Sequence, residues 1–140
     1  MYEYFEHTAD IGVRAFGINL AAAFEEEAKG MFNIMVDIEG VNERQEIEIT
    51  TEADTKENLL VEWLNALIAE ADHKGMAFAS FQIQELRKVG TGYYLKGIAI
   101  GETLDPKRHN VKIEVKAATY SQLKVEFRRD KVMVQCIVDV

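Results

Sequence analysis

Residues 54–75 read DTKENLLVEWLNALIAEADHKG, and the spacing of their apolar letters sets the class of the fold. Leu59, Leu60, Trp63, Leu64, Leu67, Ile68 and Ala71 recur at steps of three and four, which makes one wide stripe along a helix. Asp54 and Glu57 form a D-x-x-E start resembling a capping box, and Gly75 supplies the stop. A Trp and Leu stripe at this spacing is a core face rather than a cofactor box. Upstream, Asn19 is placed to cap a second helix running to about Val36. Leu20, Phe24, Ala28, Met31, Phe32 and Met35 form its buried face, with Glu25, Glu26 and Glu27 mainly on the solvated side.

Outside these two segments the period changes from helix to strand. Residues 13–17 are short and apolar, and residues 45–51 alternate Ile47 and Ile49 against Glu46 and Glu48. Residues 78–89 and 93–102 flank Gly90-Thr91-Gly92, a hairpin signal. After a turn at Asp105-Pro106, residues 111–117 alternate Val111, Ile113 and Val115 with Lys112, Glu114 and Lys116. Residues 123–127 and 132–138 pair through Arg129-Asp130-Lys131. Strand, helix, strand and helix are thus followed by a meander of strands. The expected fold is α+β over residues 1–140, one domain with two helices packed on a largely antiparallel (mixed) sheet of about six to seven strands.

Composition excludes several classes of function. The 140 residues, 48% apolar and 29% charged, contain one proline and no low-complexity linker, as suits one soluble domain. No apolar run is long enough to span a bilayer, and the opening MYEYF lacks the layout of a signal peptide. Cys136 is the only cysteine, so an intrachain disulfide and a Cys-rich zinc site are both excluded. These features together lead to the expectation of a cytoplasmic protein. The net charge of −8 argues against strong direct binding to nucleic acid. That charge is uneven, because residues 1–72 carry 17 acids and 4 bases, whereas residues 73–140 carry 7 acids and 12 bases. Such a split either orients a partner or reflects two solvated acidic helices beside lysine-edged strands.

Familiar catalytic patterns are absent. There is no G-x-S-x-G elbow, no phosphate loop and no H-E-x-x-H pair. His7, His73 and His109 lack the spacing of a structural zinc pair, and Cys136 sits in the apolar alternation of the last strand. What remains is acidic. Asp10 lies in EHTADIG (residues 6–12), where an Asx turn would explain it. Asp139 lies in the closing VMVQCIVDV, next to the terminal carboxylate of Val140, where polar punctuation of a strand would explain it. Three such anions held together would require a proton or a cation, and oxygen ligands suit a hard divalent ion. Spacing alone does not bring residues 10 and 139 together, so both readings stand.

Six stretches, taken in order, carry a likeness that spans the chain: HTADIG at 7–12, AFEEEAKGMF at 23–32, WLNAL at 63–67, DPKRH at 105–109, KAATY at 116–120 and the final VDV. On these the sequence resembles the archease family, with one departure, Ser121, where the family usually has His after K-A-x-T-Y. The resemblance implies an accessory protein, not an enzyme in its own right. Its partner is the RNA ligase that joins tRNA exons through a 2′,3′-cyclic phosphate end, and it promotes guanylylation of the ligase histidine from GTP and multiple turnover. It further implies that Asp10, Asp139 and the Val140 carboxylate hold a divalent cation, calcium or magnesium, with His7 and Thr8 orienting Asp10. Lys116 then meets a nucleotide phosphate or the ligase, an exposed strand lysine being the plain alternative. Glu102 and His109 are weaker candidates. A second role associated with the family is chaperone-like modulation of a tRNA cytosine methyltransferase.

Overall fold

Both expected helices form, α1 over Leu20–Met35 and α2 over Lys56–Lys74, in a computed structural model that describes residues 1–5 and 9–140. Asn19 caps α1, its side-chain oxygen accepting from the Ala22 N–H at 2.8 Å. The cap of α2 lies one residue later than the D-x-x-E pattern suggested. Thr55 Oγ1 accepts from the Asn58 N–H at 3.0 Å, and Asp54 instead accepts from the Asn58 side-chain amide at 2.8 Å. The hydroxyl stands where the first turn needs an acceptor, so Asp54 becomes its brace. Gly75, at φ 63°, ends α2 in the left-handed region that glycine enters without strain. Glu27 departs from its expected solvated place and is wholly buried. It lies three residues after Phe24 and four before Met31, on the face those residues bury.

Among the described residues, eight strands form two antiparallel sheets where one was expected. The strands are β1 (Tyr2–Phe5), β2 (Ile11–Gly17), β3 (Gln45–Ala53), β4 (Met76–Val89), β5 (Gly92–Thr103), β6 (Ala117–Ala118), β7 (Lys124–Phe127) and β8 (Val132–Asp139). The larger sheet runs β1-β2-β8, with β6 and β7 both pairing along the far edge of β8. The smaller sheet runs β3-β5-β4. Helix α1 packs on β2 and β8 of one sheet and β4 of the other, and α2 packs on β3, β5 and β6. The two sheets therefore share one core, centred on Phe24, Phe32, Trp63, Leu64 and Phe78. Trp63 ties the helices together, donating its indole N–H to the Phe24 carbonyl at 3.1 Å. The α+β class and the antiparallel pairing stand.

Residues 111–116 alternate as a strand should, yet only Val111 makes a bridge, to Val36. Their backbone is engaged elsewhere. The Lys112 N–H donates to Met35 O at 2.8 Å and the Ile113 N–H to Ile34 O at 3.3 Å, which satisfies carbonyls left over at the end of α1. The first half of the segment caps a helix instead of lengthening a sheet, and only at Lys116, whose N–H donates to Asp139 O, does the chain rejoin β8.

Candidate functional site

The register of β2 against β8 determines where the acidic ends of the chain lie. Ile11 stands opposite Val138, so Asp10 is one residue beyond that pair on one strand and Asp139 one residue beyond it on the other. On the opposite edge of β8, Ala117 faces Asp139, and the Lys116 N–H donates to Asp139 O at 2.8 Å. Three short stretches, around residues 10, 116 and 139, thus meet at one end of the larger sheet. Asp10, Asp139 and Val140 are half-buried, and Lys116 is exposed. Among the described residues no ion pair engages the side chain of Asp10, Asp139 or Lys116. Nor, among the described residues, do three His, Cys, Asp or Glu side chains gather there as a ligand cluster. The third carboxylate of the expected set is the main-chain terminus of Val140. His7 and Thr8, expected beside Asp10, lie outside the described residues.

A depression of about 490 Å³ opens at Asp10, with Tyr4, Asn33, Lys112 and Ile113 among its walls. The Tyr4 hydroxyl donates to Gly30 O at 2.7 Å, and burial pushes its pKa up to about 12, so it keeps its proton at neutral pH. Ser121 lies on the exposed stretch between β6 and β7, just before Gln122 at φ 51°. Its carbonyl accepts from the Ile137 N–H at 3.1 Å and its N–H donates to Thr119 Oγ1 at 3.2 Å, so the backbone places this residue.

Glu102 and His109 do come together, away from Asp10 and Asp139 in the chain. Glu102 is the last residue but one of β5, and its carboxylate accepts from the Asn42 N–H at 2.7 Å, from His109 Nε2 at 2.9 Å and from Arg108. His109 Nδ1 accepts from the Asp105 N–H at 2.9 Å, which leaves Nε2 to carry the proton it donates. The D-P-K-R-H turn is folded around this carboxylate. One residue with a bearing on the acidic end escaped the sequence reading. Asn65 of α2 bonds both the N–H and the C=O of Ala118 in β6. The signal for it was a polar residue inside the apolar stripe, between Leu64 and Leu67.

Two helices across two antiparallel sheets, with the terminal strand at the centre of one, is an arrangement known from solved structures. The solution structure of Methanobacterium thermoautotrophicum protein 1598 matches at a TM-score of 0.87 and 29% identity, over 99% of this chain and 98% of that one. The crystal structure of a Thermotoga maritima archease, described as a possible chaperone, shares the fold at a TM-score of 0.58 and 24% identity, over 100% of this chain and 98% of that one. Residues 2–140 match the Archease protein family. The Protein archease of Pyrococcus abyssi is 39% identical over 140 residues, 99% of this chain and 98% of that protein. The chain belongs to the archease family.

Proposed function

We propose that this protein is an accessory factor of the RNA ligase that joins tRNA exons. In this reading it promotes attack of the ligase histidine on the α-phosphorus of GTP, with loss of pyrophosphate, and sustains multiple turnover. It completes no reaction alone, and it acts where the ligase does, in the cytoplasm. The observation that supports this most is the register that takes Asp10 and Asp139 to the same end of neighbouring strands. The donor set of two aspartates and the Val140 carboxylate is all oxygen and all anionic, which fits calcium or magnesium. Such an ion, when bound, supplies positive charge for phosphate oxygens. The protein's own residues do the rest: the pairing of β2 with β8 holds Asp10 and Asp139 in place as ligands, and Lys116 presents an exposed ammonium to phosphate.

The test is a guanylylation time course of the ligase with and without this protein. Wild type should accelerate it, and Asp10→Ala and Asp139→Ala should each lose at least roughly tenfold of that stimulation while melting like wild type. If both variants stimulate at the wild-type rate, the carboxylate reading is wrong. A second reading, chaperone-like modulation of a tRNA methyltransferase, draws on the description of the Thermotoga maritima protein as a possible chaperone. It predicts that the same two variants still keep the methyltransferase from aggregating.

A further inference from the structure

Asn65 stands in the middle of α2, flanked in sequence by the buried residues Trp63, Leu64 and Leu67. Its Nδ2 donates to Ala118 O at 3.1 Å, and its Oδ1 accepts from the Ala118 N–H at 2.8 Å. Both polar groups of one backbone residue are thereby met by one side chain. Ala118 is 5% exposed and lies opposite Val138 in β6, a strand of two residues with β8 on one side. In an antiparallel ladder alternate residues turn their N–H and C=O away from the partner strand. At Ala118 the Asn65 amide occupies the place of the next strand. That role requires a donor and an acceptor together, which among side chains of this length only asparagine offers.

The clamp matters because of what lies on either side of it. Two residues earlier the Lys116 N–H donates to Asp139 O at 2.8 Å. One residue later the Thr119 N–H and hydroxyl both donate to Ile137 O, at 3.0 and 2.8 Å. Before β6 the chain is the irregular run that caps α1, and after it comes the exposed stretch carrying Gln122 at φ 51°. A two-residue strand between irregular segments does not hold register by its own ladder. We infer that Asn65 is a positioning residue for the acidic end of the protein: it fixes β6 from α2, and so fixes Lys116 and the Asp139–Val140 terminus relative to Asp10. The inference rests on the cation reading of Asp10, Asp139 and Val140.

Calcium titration of the full chain by calorimetry tests it, with amide exchange at Ala118 and the melting temperature read alongside. The variants are Asp139→Asn, Asn65→Leu and Thr55→Ala, the last loosening α2 at its cap without touching β6. Asp139→Asn should weaken calcium binding at least about tenfold, and Asn65→Leu should do so by roughly the factor seen when groups that orient metal ligands are removed, about tenfold. Exchange at Ala118 should quicken in Asn65→Leu alone. Thr55→Ala should melt earlier and bind calcium like wild type. If Asn65→Leu does not fold, Asn65→Ala removes the same two bonds with a smaller side chain and takes its place. Wild-type calcium affinity in the Asn65 variant, with affinity lost in Asp139→Asn, would overturn the positioning role alone. Wild-type affinity in Asp139→Asn as well would overturn the cation reading and this inference with it.

Discussion

Glu27 and Glu102 are both buried carboxylates, 0% and 5% exposed, and their surroundings treat them in opposite ways. Around Glu102, Arg108, the Asn42 N–H and His109 Nε2 all donate to one oxygen, and Arg44 lies 3.5 Å from the other. These donors, Arg108 foremost, hold its pKa down to about 2. Glu27 sits inside α1 against Cys136 of β8, and the Cys136 thiol and backbone and the charge of Arg14 in β2 offset its burial only in part. Cys136 Sγ donates weakly to one oxygen at 3.6 Å, and the other meets no donor among the described residues. Burial therefore pushes the Glu27 carboxyl well above its ordinary 4.5, and burial together with Glu27 itself raises the Cys136 thiol. The difference is one of place in the chain. A carboxylate at the end of a strand can be wrapped by the loop that follows, here residues 104–110. A carboxylate in mid-helix faces backbone donors already committed to the helix ladder, so burial leaves it protonated.

The largest expected effect follows from taking away the well-served carboxylate. Glu102→Ala leaves Arg108 and His109 without the acceptor around which their loop is folded, and that loop runs on into the residues that cap α1. The variant should show the greatest fall in melting temperature of any discussed here, with amide protection lost across residues 104–113. The acid limb should change too. In wild type the Glu102 contribution is complete above about 4.5 and is lost as pH falls towards about 2, because its folded pKa lies below its unfolded one. Glu102→Ala should lack that part of the acid dependence. A variant that melts like wild type would erase the contrast between the two glutamates.

How much of this contrast was legible in the sequence depends on how far each feature reaches. The helices were readable because caps and a 3.6-residue period are local; even the error at Asp54 was one residue, with Thr55 as the true cap. Glu27 departs from the mainly solvated side, although three consecutive glutamates look locally like one exposed set. The spacing of Phe24, Glu27 and Met31 already placed the third of them on the buried face. The division into two sheets was not readable, since it depends on β5 choosing β3 and β4 as partners over the strands near β8. Residues 111–116 carry a strand's alternation, but the N–H groups of Lys112 and Ile113 answer to the open carbonyls of α1, a demand that appears only once the helix end is in place. At the acidic end, local sequence offered only a turn residue and a strand terminus. The resemblance named Asp10 and Asp139 together, and it took the β2–β8 register to relate their positions. Asn65 was hidden for the opposite reason, being one polar letter in a convincing apolar stripe.

A middling effect, and one of opposite sign, is expected when the poorly served carboxylate is removed. Glu27→Leu replaces a buried group lacking a full set of partners by a hydrocarbon of similar bulk, which should stabilise the fold by about 1–3 kcal/mol at pH 8. The pH dependence gives the sharper reading. Below about 4.5 both folded and unfolded chains hold the Glu27 proton, and ionisation costs nothing. As pH rises past that value the unfolded chain releases the proton while the folded chain keeps it. Stability then declines by about 1.4 kcal/mol per pH unit until Glu27 itself ionises in the fold. Denaturant melts of wild type and Glu27→Leu from pH 4 to 9 should therefore diverge as the pH rises. Parallel curves would mean that Glu27 is ionised in the folded protein and that burial has not had the effect described.

The smallest effect tests whether a single donor moves Glu27 towards the condition of Glu102. Cys136 lies opposite Val13 in the β2–β8 register and is fully buried. Its thiol is a weak donor at 3.6 Å, whereas a serine hydroxyl in the same place donates more strongly to either form of the carboxyl group and favours the ionised one. Cys136→Ser also buries a more polar atom, so the two changes offset and net stability should shift by no more than about 1 kcal/mol. The informative quantity is the titration of the Glu27 carboxyl carbon followed by NMR. Its midpoint should fall in Cys136→Ser relative to wild type and remain far above that of Glu102, which keeps three donors and a nearby guanidinium. An unmoved midpoint would show that the hydroxyl turns elsewhere, and that the isolation of Glu27 is set by the geometry of α1 against β8 rather than by the chemistry of residue 136.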